Sequence, residues 1–278
     1  MDWGYDYLDI EEAEWPEELP RDIKIDEAKE EIIKFLNENN RKVYYLKQLE
    51  VFFEKKPFEF FHWITAKAVN ELISERLLGV EEVPLQTEIG LKFAFNKKFR
   101  HHKMLMRRCV EIVRRYASPT IAMACGWQAE VLFFNALVNS GFSSLGQDIN
   151  AHRGKKWTET DHNLDFIIER DNIGYGCEVK NKWDYIEKEE MDVKLRICGF
   201  LGLKPLFIMR ASPKTYNWEI IRRGGYTMIF ESQIYPFGQK QLVEEIKEVL
   251  ELPVDCPRAI PEGIVGRFVR WHEKGIKM

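Results

Sequence analysis

Asp165, Glu178 and Lys180 are the residues of this chain whose types and spacing fit a chemical task. Glu178 and Lys180 stand two apart in Cys177-Glu178-Val179-Lys180. On a strand both side chains then leave one face, and Val179 leaves the other toward the core. Asp165 begins a second segment, Leu164-Asp165-Phe166-Ile167-Ile168, and Asp171-Asn172-Ile173-Gly174 reads as the turn between the two. Such a hairpin brings the Asp165 carboxylate beside Glu178. Two carboxylates held together raise each other's pKa unless a cation lies between them. A hard divalent ion, Mg²⁺ or Mn²⁺, prefers oxygen ligands and suits that place. Lys180 beside the pair can balance charge, orient or help deprotonate an attacking water, and steady a phosphorane-like transition state. A bound metal would lower the pKa of a water and polarise a phosphate, which is the chemistry of phosphodiester hydrolysis.

The elements that must position these residues read as α/β. A helical pattern covers 120–139, a strand 142–149, and a polar, basic loop 152–162. Strands at 164–169 and 175–181 form the hairpin. A helix follows over 185–201, with Met191, Leu195, Cys198 and Leu201 as its buried stripe. A short buried strand is expected at 205–210, later strands at 218–221 and 226–230, and an amphipathic helix at 239–250. Residues 253–278 give no clear pattern. Upstream, an acidic lead-in occupies 1–22. A helix starts after a cap at Asp26, a short helix covers 46–53, and a longer one runs from Pro57 to Leu78, stopped by Gly79. Extended pieces follow at 80–85 and 91–96, linked by 86–90.

The pattern D-x₁₂-E-x-K on a strand–turn–strand, followed by a helix and another strand, resembles the PD-(D/E)XK nuclease superfamily. Archaeal Holliday-junction resolvases and many restriction enzymes belong to it. The likeness covers roughly residues 118–232 and implies a restriction-endonuclease-like mixed sheet flanked by helices. Leu164 stands where the family usually has a proline. Many members add an acidic residue from a preceding helix, and Glu130 matches that position, among Val131, Leu132, Phe133 and Phe134. The resemblance thus implies a catalytic set of Asp165, Glu178, Lys180 and Glu130. It implies metal ligation by Asp165, Glu178, Glu130 and the Val179 backbone carbonyl. Three helices and then a hairpin resemble a winged helix-turn-helix. Its would-be recognition helix carries Lys67 and Arg76 alongside Glu59, Glu71 and Glu75, so it suits protein contact as well as DNA.

The expected organisation is an acidic lead-in (1–22), a mainly α winged-helix-like domain (23–98), a basic linker helix (99–117), a nuclease domain (118–252) and a tail (253–278). Hydrophobic residues at 45% suffice for a packed core in a chain of 278 residues. The net charge of −4 names no partner, but its distribution does: residues 97–115 are strongly basic and 1–30 strongly acidic. Lys103, Arg107 and Arg108 in that segment, Arg153, Lys155 and Lys156 in the loop before Asp165, and Lys182 after Lys180 are candidate phosphate contacts. Five cysteines form no C-x-x-C pair and the histidines lack metal-ligand spacing, so reduced thiols are expected rather than a disulfide framework or a zinc knuckle. The best apolar run, 199–209, is too short to span a bilayer, and the acidic N-terminus shows no secretory signal, so a soluble, cytoplasmic protein is expected. The functional expectation is a Mg²⁺-dependent DNA endonuclease acting on double-stranded or branched DNA, and the resemblance admits a homodimer. The alternatives are a non-catalytic DNA-binding or regulatory protein on the same scaffold, and an exonuclease or RNA-directed nuclease.

Overall fold

The computed structural model describes residues 23–84 and 90–276. The acidic lead-in, and the linking residues 86–89 of the expected hairpin, lie outside the described residues.

The first layer is built from α1 (Ile23–Glu38), β1 (Val43–Tyr45), α2 (Leu46–Phe53), α3 (His62–Ser74), β2 (Leu78–Pro84) and β3 (Gly90–Asn96). The strands form an antiparallel sheet in the order β1-β3-β2. Ile25, Ala28, Ile32 and Leu36 of α1 recur at helical spacing and are buried against Ile64, Ala68 and Leu72 of α3. The helix expected from Pro57 instead begins at His62. Residues 54–61 form turns that fold Phe60 back onto Phe53, where its N–H meets the Phe53 carbonyl at 2.8 Å.

The amphipathic helix α4 (His102–Tyr116) and the long helix α5 (Pro119–Asn139) lead into the larger layer. This comprises β4 (Ser143–Ile149), a small hairpin β5 (Ala151–His152) and β6 (Lys155–Lys156), then β7 (Leu164–Arg170) and β8 (Ile173–Lys180). There follow α6 (Lys188–Leu201), β9 (Lys204–Met209), α7 (Lys214–Arg222), β10 (Tyr226–Ile229) and β11 (Gln233–Ile234). A 3₁₀ turn (Phe237–Gln239), α8 (Lys240–Glu245), a π turn (Ile246–Leu250), β12 (Val254–Asp255) and α9 (Glu262–Ile276) close the chain. The five-stranded sheet has the order β10-β9-β8-β7-β4, antiparallel from β4 to β8 and parallel from β8 to β10. Helices flank it, so the fold is α/β with a mixed sheet. Apolar clusters cover it on both sides: Leu132 and Phe133 of α5 with Phe268 of α9 in one, Ile197, Cys198 and Leu201 of α6 in another. Central strands covered on both faces read as continuous apolar runs, as β7 and β9 do.

Two expectations fail on period. The strand expected at 218–221 is part of α7. Its helical spacing buries Ile220 and leaves Trp218 and Ile221 exposed, and so short a stretch fits both periods. The tail without a pattern contains α9, whose Val265, Phe268 and His272 lie buried on one face. His272 also bonds the Tyr175 hydroxyl at 2.8 Å and Asp171 at 3.0 Å, fastening α9 to the β7–β8 hairpin. A third correction concerns α5, which is long and apolar enough to cross a bilayer, whereas the expectation took 199–209 as the most apolar run. In the fold α5 packs Cys125, Ala129, Leu132, Phe133 and Leu137 into the core.

The two layers share side chains. Val43, Tyr45, Phe93 and Phe95 from the first sheet join Met106 and Val113 of α4 in one apolar cluster. Trp183, Tyr235, Leu242 and Leu250 from the second layer belong to the same cluster.

Candidate carboxylate site

The β7–β8 hairpin turns through Asp171 and Asn172, with φ of 54° and 60°. Two successive left-handed residues suit the right-handed twist of a tight hairpin, and Asp and Asn tolerate that region better than most. The ladder runs from Arg170–Ile173 to Phe166–Cys177. One step past this last pair come Asp165 and Glu178. There the Asp165 side chain takes over from the backbone: its Oδ2 accepts the Val179 N–H at 2.6 Å.

Val179 joins the apolar cluster that contains Leu132 and Phe133, while Glu178 and Lys180 meet α6. Lys180 Nζ lies 2.7 Å from Glu178 Oε1 and 2.8 Å from Glu190 Oε1. Lys194 Nζ lies 2.6 Å from Glu178 Oε2, and Lys194 also donates to the Asn163 carbonyl. Gly176 makes this approach possible. A Cβ there would lie 2.6 Å from Cys198 Sγ and 2.8 Å from Leu164 Cδ1, so only glycine lets α6 settle this closely on β8.

Glu178 is 1% exposed. Both ammonium groups reach it at ion-pair distance, yet neither carboxylate oxygen accepts a well-directed hydrogen bond among the described residues. Burial pushes Asp165 up to about 7, and the charges of Glu178 and Glu130 add to this against the Val179 N–H and Lys194. Glu130 is raised as well, first by burial and then by Glu178, with Asp148 adding to the rise and Lys180 and Lys194 opposing it. Burial pulls Lys180 down, but Glu178 and Glu190 outweigh it and its pKa ends well above the ordinary lysine value. Glu190 moves down, because Lys180 outweighs the upward pull of burial.

A pocket of about 330 Å³ opens beside this hairpin, lined by Trp127, Glu130, Val131 and Phe134 of α5, Gln147 and Asp148 of β4, and Asp165 and Phe166 of β7. The structure thus brings Glu130 and Asp165 to one cavity, with Glu178 close enough to act on both and Lys180 paired to Glu178. Asp148, Glu190 and Lys194 were absent from the expected set. Asp148 has a positive φ of 48° and accepts from Asn163 Nδ2 at 2.9 Å. Lys194 had a signal in the sequence. It stands three residues after Met191 and four before Cys198, on the buried stripe of α6, where a lysine needs a carboxylate partner.

The expected phosphate contacts scatter. Arg153 is exposed and pairs with Glu169 at 2.6 Å. Lys155 donates to the Phe200 carbonyl at 3.1 Å, and Lys156 and Lys182 are exposed. Lys103 and Arg107 line a different groove, of about 520 Å³, with Glu81, Glu111, Arg114 and Arg115. Arg108 and Arg115 of the same basic helix pair with Glu248 and Glu245, so part of its charge is met from within the fold.

Among the described residues Glu50, His62 and Asp184 form a second cluster, their ligating atoms within 4.8 Å of one another. The fold brings these residues together, and the spacing of the histidines along the chain gives no sign of it. The Lys47 ammonium already pairs with both of its carboxylates, and His62 Nε2 bonds Glu54 at 2.8 Å. All five cysteines are free thiols, four of them buried.

No family model, curated protein or solved structure matches the chain.

Proposed function

We propose that this chain is a metal-dependent nuclease of the PD-(D/E)XK kind that hydrolyses phosphodiester bonds in DNA. One observation carries the reading: Asp165 and Glu178 continue β7 and β8 one step past the paired Phe166 and Cys177, Glu178 buried and Asp165 pushed up to about 7 by burial and by the charge of Glu178. Carboxylates so placed fit a hard divalent cation, and Asp165, Glu178, Glu130 and the Val179 carbonyl are the groups that would hold it. When bound, such an ion lowers the pKa of a water and polarises a phosphate.

The chain's own residues do the rest. Lys194 fixes one oxygen of Glu178, and the Val179 N–H fixes Asp165. Lys180 is held as an ammonium by Glu178 and Glu190. It therefore serves as a charge and a donor toward a phosphate, not as the base that takes the water's proton. The strand–turn–strand, crossover helix and parallel strand from β7 to β9 support the family resemblance.

The helices α1 to α3 with the β1-β3-β2 sheet support a winged-helix role for the first layer. Glu71 of α3 and Glu75 just after it turn toward Lys29 on α1, and Trp63, Lys67, Asn70 and Ser74 occupy the exposed face of α3. That favours DNA as the polymer over protein contact alone. A soluble, cytoplasmic setting, in keeping with the free thiols, belongs to the same proposal.

The test is incubation with plasmid, linear, single-stranded, flap and junction DNA, and with RNA, in Mg²⁺, Mn²⁺ or EDTA. Cleavage of DNA only with metal supports the reading. Cleavage of RNA alone, cleavage only from ends, or binding without cleavage would each point to one of the alternatives.

A further inference from the structure

We infer that Trp127 is a stacking platform for an unpaired base next to the cleaved phosphate, so that the substrate class is single-stranded or branched nucleic acid. The inference rests on the nuclease reading of the carboxylate pocket.

Trp127 is 64% exposed, and Met123, one turn earlier on α5, is 72% exposed. An indole this open contributes little to the core, which α5 serves through Ala129, Leu132 and Phe133. Yet it is no isolated surface residue, for it forms one wall of the pocket that holds Glu130 and Asp165. Trp127 and Glu130 are three apart on a helix, which sets their Cβ atoms about 5–6 Å from each other. A nucleotide whose phosphate meets the carboxylates would then carry its own base, or the adjacent one, to the indole. The wall behind is fixed, since Phe134 packs edge-on against Phe166 at 5.4 Å between ring centres.

The rest of the pocket is polar and acidic, with Gln147 and Asp148 facing α5. Its lining offers a flat aromatic face and hydrogen-bond acceptors, which suit a base with its amino groups better than an apolar protein side chain. Stacking on an aromatic face tolerates any base but requires one face of that base to be free. In a continuous duplex the neighbouring pairs cover both faces. A single strand, a flap, a frayed end or a junction arm leaves one open.

The test uses the full chain with flap, single-stranded and fully paired oligonucleotides, in DNA and RNA form, carrying 2-aminopurine at the unpaired positions next to the cut. Binding is read by fluorescence with Ca²⁺ in place of Mg²⁺, and cleavage separately with Mg²⁺. The expected result is a fluorescence change on binding that is lost in Trp127→Ala and retained in Trp127→Phe. The preference for unpaired over paired substrate should fall by roughly 5- to 150-fold in Trp127→Ala, the span that loss of one aromatic–base stack gives. Equal binding and unchanged preference in Trp127→Ala would overturn the inference. So would a change of oligomeric mass in Met123→Ala/Trp127→Ala, because it would show that a second copy of this chain covers the face. The binding signal needs no hydrolysis, so loss of stacking and loss of the nuclease reading are distinguishable.

Discussion

Arg210, at the end of β9, makes a two-point ion pair with Glu54 of the first layer, with Nη2 2.9 Å from Glu54 Oε2. Both side chains are almost wholly buried, at 1% and 3% exposure. The same guanidinium donates to the carbonyls of Lys182 and Trp183, two and three residues after Lys180, at 3.0 and 2.8 Å. Breaking a buried pair leaves an uncompensated charge. Glu54→Gln and Arg210→Met should therefore each destabilise the protein by about 3–5 kcal/mol. The double variant should lose clearly less than the sum of the two. Urea unfolding of the four proteins measures this, and strictly additive losses would show that the pair is not coupled.

Asp165 imposes a pH dependence on the metal-free protein. Its carboxyl is pushed up to about 7 in the fold, above an unfolded value of about 3.9. Between those values the folded state holds the proton and the unfolded state releases it. The contribution to stability is thus complete below about pH 4 and lost as pH rises toward 7. Asp165→Asn, neutral throughout, should gain on the wild type over that window and end about 2–4 kcal/mol more stable at pH 8. Unfolding at pH 4 and pH 8 in EDTA decides it, and equal stability at pH 8 would count against the crowded-carboxylate picture. Glu54 has the opposite sign. Arg210 and His62 outweigh burial and lower its pKa, so its contribution is lost as pH falls.

Lys194 is the internal counter-charge of Glu178. Lys194→Gln should destabilise the metal-free protein by about 1–3 kcal/mol, with Lys180 covering the remainder. An added divalent cation should replace the missing charge. Thermal unfolding should then show a larger rise in Tm on adding Mn²⁺ in Lys194→Gln than in the wild type. An equal rise in both would separate Lys194 from the carboxylates proposed to hold the metal.

Gly176→Ala forces a Cβ against Cys198 Sγ and Leu164 Cδ1 in a closed part of the core. Overpacking of this kind costs about 1–3 kcal/mol. Because α6 carries Lys194, the counter-charge of Glu178, the variant should also change divalent-cation binding, measured by Mn²⁺ titration. Unchanged stability and affinity would mean that α6 does not need this close contact.

What the sequence showed and hid follows from the range of the forces involved. Asp165, Glu178 and Lys180 were legible because a hairpin is local: alternation set their faces and Asp171-Asn172 set the register. Glu130 was legible only through the family resemblance, since nothing in its own surroundings ties it to Glu178. Lys194, Glu190 and Asp148 come from other elements, and their placement depends on how α6 and β4 pack. The Arg210–Glu54 pair spans 156 positions and had no local signal beyond an arginine at the end of an apolar strand. The basic run at 97–115 was visible, but not the glutamates of α8 and the π turn that pair with part of it. Period decided the rest: α7 was too short to tell helix from strand, and α9 lay in a stretch that showed no pattern.

The proposed nuclease activity rests on Asp165 and Glu178 holding the metal for phosphodiester hydrolysis. Single-turnover cleavage of labelled DNA by the wild type, Asp165→Asn and Glu178→Gln, with Mg²⁺ and with EDTA, tests it most directly. The wild type should cleave only with metal, and either variant should be at least about 100-fold slower. Cleavage in EDTA, a wild-type rate in Asp165→Asn, or no cleavage of any DNA substrate by the wild type would contradict it.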